Sequence, residues 1–164
     1  LVLQLATRAG LVGVVRKALK KGSDPNFFTP DHITPLLSCI GNKADAPRAV
    51  EIATMLLEAG ADPNLAGHST GGAGGEVVED ETPLGQATTC KRLDVVELLV
   101  QHKARLDLAN QNKMTPLHLA LWLDYRDIAK LLIQKGAPLD KTDRLGRKPV
   151  DLTHDPELLR LAKP

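Results

Sequence analysis

Thr115-Pro116-Leu117-His118-Leu119-Ala120-Leu121 opens a helix whose start is written into its first two residues. Proline is tolerated in a first helical turn, where its missing N–H would have had no partner, and the threonine before it supplies a capping oxygen. The helix that follows is short and apolar, and a polar break at Asp124 ends it. A second helix then carries Ile128, Ala129, Leu131, Leu132 and Ile133 as an apolar stripe at helical spacing, with Asp127, Lys130 and Gln134 outside it. Gly136 stops that helix by offering the left-handed conformation of a C-cap. Neither helix is long enough to stand alone, so the pair must bury its apolar face against a neighbour.

The neighbours are visible as the same phrase elsewhere. Thr34-Pro35-Leu36 and Thr82-Pro83-Leu84 repeat it, and Lys148-Pro149-Val150 carries it in worn form. A second phrase follows each helix pair: Gly22-Ser-Asp-Pro-Asn26, Gly60-Ala-Asp-Pro-Asn64, Lys103-Ala-Arg-Leu-Asp107 and Gly136-Ala-Pro-Leu-Asp140. The steps from Thr82 to Thr115, from Thr115 to Lys148 and from Lys103 to Gly136 are each 33 residues. This period, with these words at these places, resembles the ankyrin repeat over almost the whole chain. The resemblance implies an all-α solenoid of stacked helix-turn-helix repeats with β-hairpin or loop fingers, and a core of leucines continuous through the units.

Offsets from the threonine position divide one domain, 1–164, into repeats at roughly 1–26, 27–64, 65–107, 108–140 and 141–164. The first starts at Leu1 without a leading hairpin, as a piece cut at a repeat boundary would. The second has five extra residues near Gly41–Pro47, between its helices. The third has ten extra residues ahead of its helices, at a hairpin tip, and the fourth is the most regular. The last is shortened around Asp155-Pro156 and reads as a terminal cap or truncated unit.

Composition narrows the function. A formal net charge of +1 argues against bulk electrostatic capture by nucleic acid or anionic membrane, and two Phe, one Tyr and one Trp are too few for a base-stacking platform. No apolar run approaches the ~20 residues needed to span a bilayer, and nothing at the N-terminus resembles a signal peptide. Cys39 and Cys90 fall in first helices of neighbouring repeats, as reduced intracellular thiols rather than a disulfide or zinc pair. Of the five histidines only His118 holds a repeated motif slot, and the resemblance implies that it ties adjacent hairpins through backbone hydrogen bonds. His32, His68, His102 and His154 are scattered. Gly71-Gly-Ala-Gly-Gly75 lacks the Lys-Ser/Thr ending of a phosphate loop and is followed by acids. The acidic residues fall on expected outer faces and hairpin tips, as solvated surface. The sequence therefore points to no enzyme, catalytic residue, cofactor or metal.

Surface remains. In ankyrin-like proteins partners lie in the groove between hairpin tips and the exposed side of the first helices. Slot by slot this implies Arg8 in repeat one, Asp31, Ile33, Gly41 and Asn42 in repeat two, and Glu79, Glu81, Thr89 and Cys90 in repeat three. Repeat four contributes Gln111, Asn112, Met114, Trp122 and Leu123, and repeat five Arg144, Leu145 and Arg147. Met114, Trp122, Leu123 and Tyr125 form an apolar and amphipathic set of the kind that anchors interfaces, the alternative being that Trp122 packs on the next repeat's helix. The insertion, 66–81, has a glycine-rich half and a returning arm in which Glu76, Glu79, Asp80 and Glu81 surround Val77 and Val78. Two readings of this arm stand side by side, a solvated acidic rim and an arm that selects a basic segment of a protein ligand by steering. Asn64, two residues after Asp62, resembles the hairpin asparagine that intracellular asparaginyl hydroxylases modify, although Pro63 departs from the usual aliphatic residue. The expected function is a monomeric, non-catalytic protein-interaction module of a larger cytoplasmic or nuclear scaffold, adaptor or substrate receptor. The alternative is a stand-alone inhibitor of an enzyme such as a kinase.

Overall fold

The computed structural model describes residues 2–41, 46–69 and 78–162. The fold is a helical solenoid. Its helices come in pairs: α1 (Val2–Arg8) with α2 (Val12–Lys20), α3 (Pro35–Gly41) with α4 (Ala46–Glu58), α5 (Pro83–Thr89) with α6 (Leu93–Gln101), and α7 (Pro116–Trp122) with α8 (Arg126–Gln134). A 3₁₀ turn, Pro149–Leu152, and α9 (Pro156–Leu161) complete the series. First helices pack on first helices along the chain, and second helices on second helices, up to α9 against α8. Leu36, Leu84 and Leu117 of the first helices and Leu56, Leu99 and Leu132 of the second belong to one core cluster.

The threonine–proline phrase acts as its chemistry dictates. Thr34, Thr82 and Thr115 each accept an amide hydrogen bond three residues on, from Leu37, Gly85 and His118, at 3.2, 3.0 and 3.4 Å. Lys148 has no hydroxyl for this, and its own amide instead donates to Asp151 Oδ2 at 2.8 Å. Only a 3₁₀ turn forms there.

Three of the fingers are closed from the base. Five residues before the threonine position, Thr29, Asn110 and Asp143 turn a side-chain oxygen back onto their own loops. Thr29 Oγ1 accepts from Ile33, Asn110 Oδ1 from Asn112 and Met114, and Asp143 Oδ1 from Leu145 and Arg147. Fingers are then linked to one another through backbone: His68 N to His32 O, Gln111 N to Glu79 O and Arg144 N to Asn112 O. The insertion adds a ribbon to this row. Strands β1 (Gly67–Ser69) and β2 (Val78–Glu81) pair antiparallel with Gly67 opposite Glu81, and the register shifts before Ser69 meets Val78. Gly67 lies so close to His32 O that a Cβ would collide with it. The run Gly71–Gly75, with Glu76 and Val77, lies outside the described residues, as does Asn42.

Candidate functional site

α7 spans about 10 Å at the standard rise of a helix, and the expected partner-binding residues of the fourth unit divide between its two ends. At the finger end, Met114 is half-buried and its carbonyl accepts from Asn110 N at 3.1 Å. Gln111 is half-buried and Asn112 exposed in the same finger, and both are fixed through the inter-finger bonds just described. At the other end the helix is buried from Pro116 to Leu121 and then presents Trp122, 55% exposed. Leu123 caps α7, Tyr125 precedes α8, and both are half-buried. Met114 and the Trp122 group, taken together from sequence, are thus two patches.

The Trp122 end has a neighbour. Lys91, in the turn between α5 and α6, holds its ammonium 5.2 Å from the centroid of the Tyr125 ring. A cation over an aromatic face adds attraction beyond area burial. A cavity of about 350 Å³ lies between these two inter-helix turns, lined by Leu93, Tyr125 and Ile128 with Lys91, Asp124 and Asp127 at its polar side.

The acidic arm corrects one expectation. Glu79 and Asp80 are exposed, but Glu81 is 3% exposed, and Asn110 Nδ2 donates to its Oε2 at 3.4 Å. Burial pushes the Glu81 carboxyl up to about 7, against the opposing effect of bonds from Asn110 and the Thr82 amide. Asp143 is likewise buried, but its surroundings differ. Burial opposes its charge, while amide bonds from Arg147 and Leu145 and the Arg147 guanidinium outweigh that and hold the carboxyl below the usual range. Glu81 escapes a rule of solvated acids because its side-chain donor, Asn110, lies in the next finger, whereas Asp143 takes its donors, Leu145 and Arg147, from its own finger.

The other positions are distributed along the fingers and first helices. Arg8 and Asp31 are exposed, and Ile33 and Gly41 half-buried. Thr89 and Cys90 are half-buried, with Thr89 Oγ1 donating to Gly85 O at 3.1 Å. Arg144 and Leu145 are exposed at the fifth finger, whereas Arg147 is drawn back onto Asp143 Oδ2 at 2.7 Å. His118 does what its slot implies: Nδ1 lies 2.8 Å from Thr115 Oγ1, and Nε2 lies 3.1 Å from Arg147 O of the next finger. Burial lowers its pKa. Asn64 is half-buried, and its Oδ1 accepts from Arg105 N at 2.7 Å, so a hydroxylase would meet an engaged side chain.

Cys39 and Cys90 are not joined in a disulfide, and burial pushes Cys39 up to about 12, far from a reactive thiolate. Among the described residues no group of three or more His, Cys, Asp or Glu could hold a metal, and no helix is long and apolar enough to cross a membrane.

The repeated caps, fingers and stacked helix pairs define a class, and comparison with known proteins agrees. A family model for three copies of the ankyrin repeat matches residues 68–143. Cyclin-dependent kinase 4 inhibitor B of Rattus norvegicus is 37% identical over 113 residues, covering 68% of this chain and 78% of that protein. Alpha-latrocrustotoxin-Lt1a of Latrodectus tredecimguttatus is 36% identical over 121 residues, 73% of this chain but 7% of the toxin. Protein phosphatase 1 regulatory subunit 27 of Homo sapiens is 38% identical over 80 residues, 49% of this chain and 51% of that protein. The chain spans less than a tenth of the toxin and about half of the phosphatase subunit. It belongs to the ankyrin repeat family, whose repeats bind protein partners.

Proposed function

We propose that residues 1–164 form one non-catalytic interaction domain, with the five repeats bounded as above, that binds a protein or peptide along the row of fingers and first helices. The observation that carries this reading is Trp122: an indole 55% exposed directly after six buried residues of the same helix. Large aromatics are favoured interface anchors because each buries much area at low entropy cost. The fourth finger supplies Gln111, Asn112 and Met114 at one end of α7, and Trp122, Leu123 and Tyr125 form the other. The rim is completed by Glu79 and by Arg144 with Arg147. Glu79 and Asp80 favour a basic segment in the ligand by steering, with association that weakens as salt is added. The domain acts as a monomer in a cytoplasmic or nuclear scaffold, adaptor or substrate receptor, and needs no cofactor. Asn64 is the position at which an asparaginyl hydroxylase would act once its bond to Arg105 opens.

The second reading is an inhibitor of a protein kinase. It is favoured by the extent of the match to cyclin-dependent kinase 4 inhibitor B, 78% of that protein.

The test is affinity capture from cell lysate with the wild-type domain beside a Trp122→Ala, Met114→Ala double variant, both checked for folding. A partner kept by the first and lost by the second is the expected result. Capture of the same proteins by both would place recognition elsewhere and overturn the reading. Adding the domain to a cyclin-dependent kinase 4 assay separates the two readings, since undiminished phosphorylation excludes inhibition of that kinase.

A further inference from the structure

Among the described residues Glu81 and Asp143 are the buried carboxyl residues, and Glu81 is the one whose seat is not made by a cation of its own finger. It ends β2, and its carboxylate folds forward to the start of α5, where residue 85 is glycine. A Cβ on Gly85 would collide with Glu81 Oε1. In the fourth unit the matching position, three residues after the threonine, is His118, which ties its cap to the next finger. The third unit has glycine where that histidine would stand, and Glu81 fills the space. It also makes a tie to the next finger, through Asn110 Nδ2. The other end of the Asn110 amide accepts from Asn112 N at 3.0 Å and Met114 N at 3.2 Å. One side chain therefore stands between the Glu81 carboxyl and the backbone of the fourth finger's tip.

We infer that Glu81 is a proton-operated latch between the third and fourth fingers. When neutral it stays seated between Gly85 and Asn110, and when ionised it draws outward and loosens the tip that carries Gln111, Asn112 and Met114.

The surroundings explain the direction. α5 carries no ionisable side chain from Pro83 to Thr89. β1 contributes His68, β2 contributes Glu79 and Asp80, the fourth finger Lys113, and α7 His118. Glu79, Asp80 and Lys113 are exposed, while His118 is engaged with Thr115 and Arg147. Among the described residues no cation is paired with Glu81. An ionised carboxylate buried with a single neutral side-chain donor costs more than its neutral form, whose carbonyl oxygen still accepts from Asn110. Since the folded state raises this carboxyl from the usual 4.5 to about 7, it favours the neutral form. The stabilisation is complete below the unfolded value and is lost as pH rises through about 7. The latch is built into the fingers and does not depend on whether a partner occupies them.

The test uses the labelled wild-type chain and needs no variant to begin. The Glu81 carboxyl carbon and the Asn110 side-chain amide are followed by NMR as pH is raised, and both are expected to titrate together with a midpoint near 7. Exchange of the Asn112 and Met114 amides is then compared with Glu81→Gln at each pH, so that intrinsic exchange cancels. The expected ratio is unity at about pH 5.5 and several-fold faster exchange in the wild type at about pH 8.5, where the group is ionised. A Glu81 midpoint at the ordinary carboxylate value, or a ratio that does not change with pH, overturns the latch. Gly85→Ala is the independent variant. Its methyl group evicts the carboxylate, and the Glu81 midpoint falls; a midpoint that stays near 7 would show that the Gly85 seat is not what holds the group.

Discussion

Lys103 occupies a position that three other units give to glycine. Gly22, Gly60 and Gly136 follow their second helices with φ of +82°, +93° and +82°, and Lys103 follows α6 with φ of +62°. A residue with a Cβ in this region pays about 1–2 kcal/mol in steric conflict with the following carbonyl. Lys103 is exposed, and its side chain has no role in the core. Lys103→Gly is therefore expected to stabilise the domain by about 1 kcal/mol, part of the steric gain being returned as lost chain entropy in glycine. The measurement is the urea midpoint, and a lower midpoint for the variant would contradict the strain argument. The position was legible as a helix stop because its neighbours in register are glycines. Burial of Glu81 was not legible, since the space it fills exists only because residue 85, four positions away, lacks a side chain.

Between elements, the second repeated phrase has a function that its turn chemistry alone does not disclose. Asp24 and Asp62 each fold a loop by accepting from the amide two residues on, that of Asn26 and of Asn64, as turn aspartates do. The asparagines then reach the next unit. Asn26 Nδ2 donates to Gly60 O at 3.0 Å and its Oδ1 accepts from Asp62 N at 2.8 Å, while Asn64 Oδ1 accepts from Arg105 N. The series stops at the following unit, because the amide that Asp107 would meet belongs to Pro138, which has no N–H. Asp107 turns instead to the exposed guanidinium of Arg105, at 2.8 Å. Two substitutions at one position of the repeat thus differ in cost. Asn26→Ala is expected to destabilise by about 1–2 kcal/mol, through two lost bonds between units. Asp107→Ala should cost about 0–1 kcal/mol, as surface ion pairs do. Equal costs in chemical denaturation would show that these clasps carry no stability. The helix starts were readable because Thr-Pro caps are local, whereas the clasps join residues 36 and 41 positions apart and need the stack to be seen.

The stack as a whole makes one position mean different things along the chain. In a repeat array each unit buries its faces only against adjacent units, so stability approximates a sum of unit and interface contributions. Thirteen residues after the threonine position, Val95 and Ile128 are 0% and 2% exposed, while Val14 in α2 is 41% exposed. The same contrast separates Val2, exposed, from Pro35, Pro83 and Pro116, all buried at the matching position. The first unit has no described neighbour on that side, and valine stands at this position in both α2 and α6, so the residue itself does not distinguish Val14 from Val95. Position in the array does. Removing the two methyl groups from Val95 loses both transfer free energy and packing in a closed core, and Val95→Ala is expected to cost about 2 kcal/mol. Val14→Ala gives up contacts already shared with water and should cost less than about 1 kcal/mol. Denaturation of the two variants against wild type measures the difference directly. A Val14→Ala loss as large as that of Val95→Ala would mean that the face of the first unit is covered in solution.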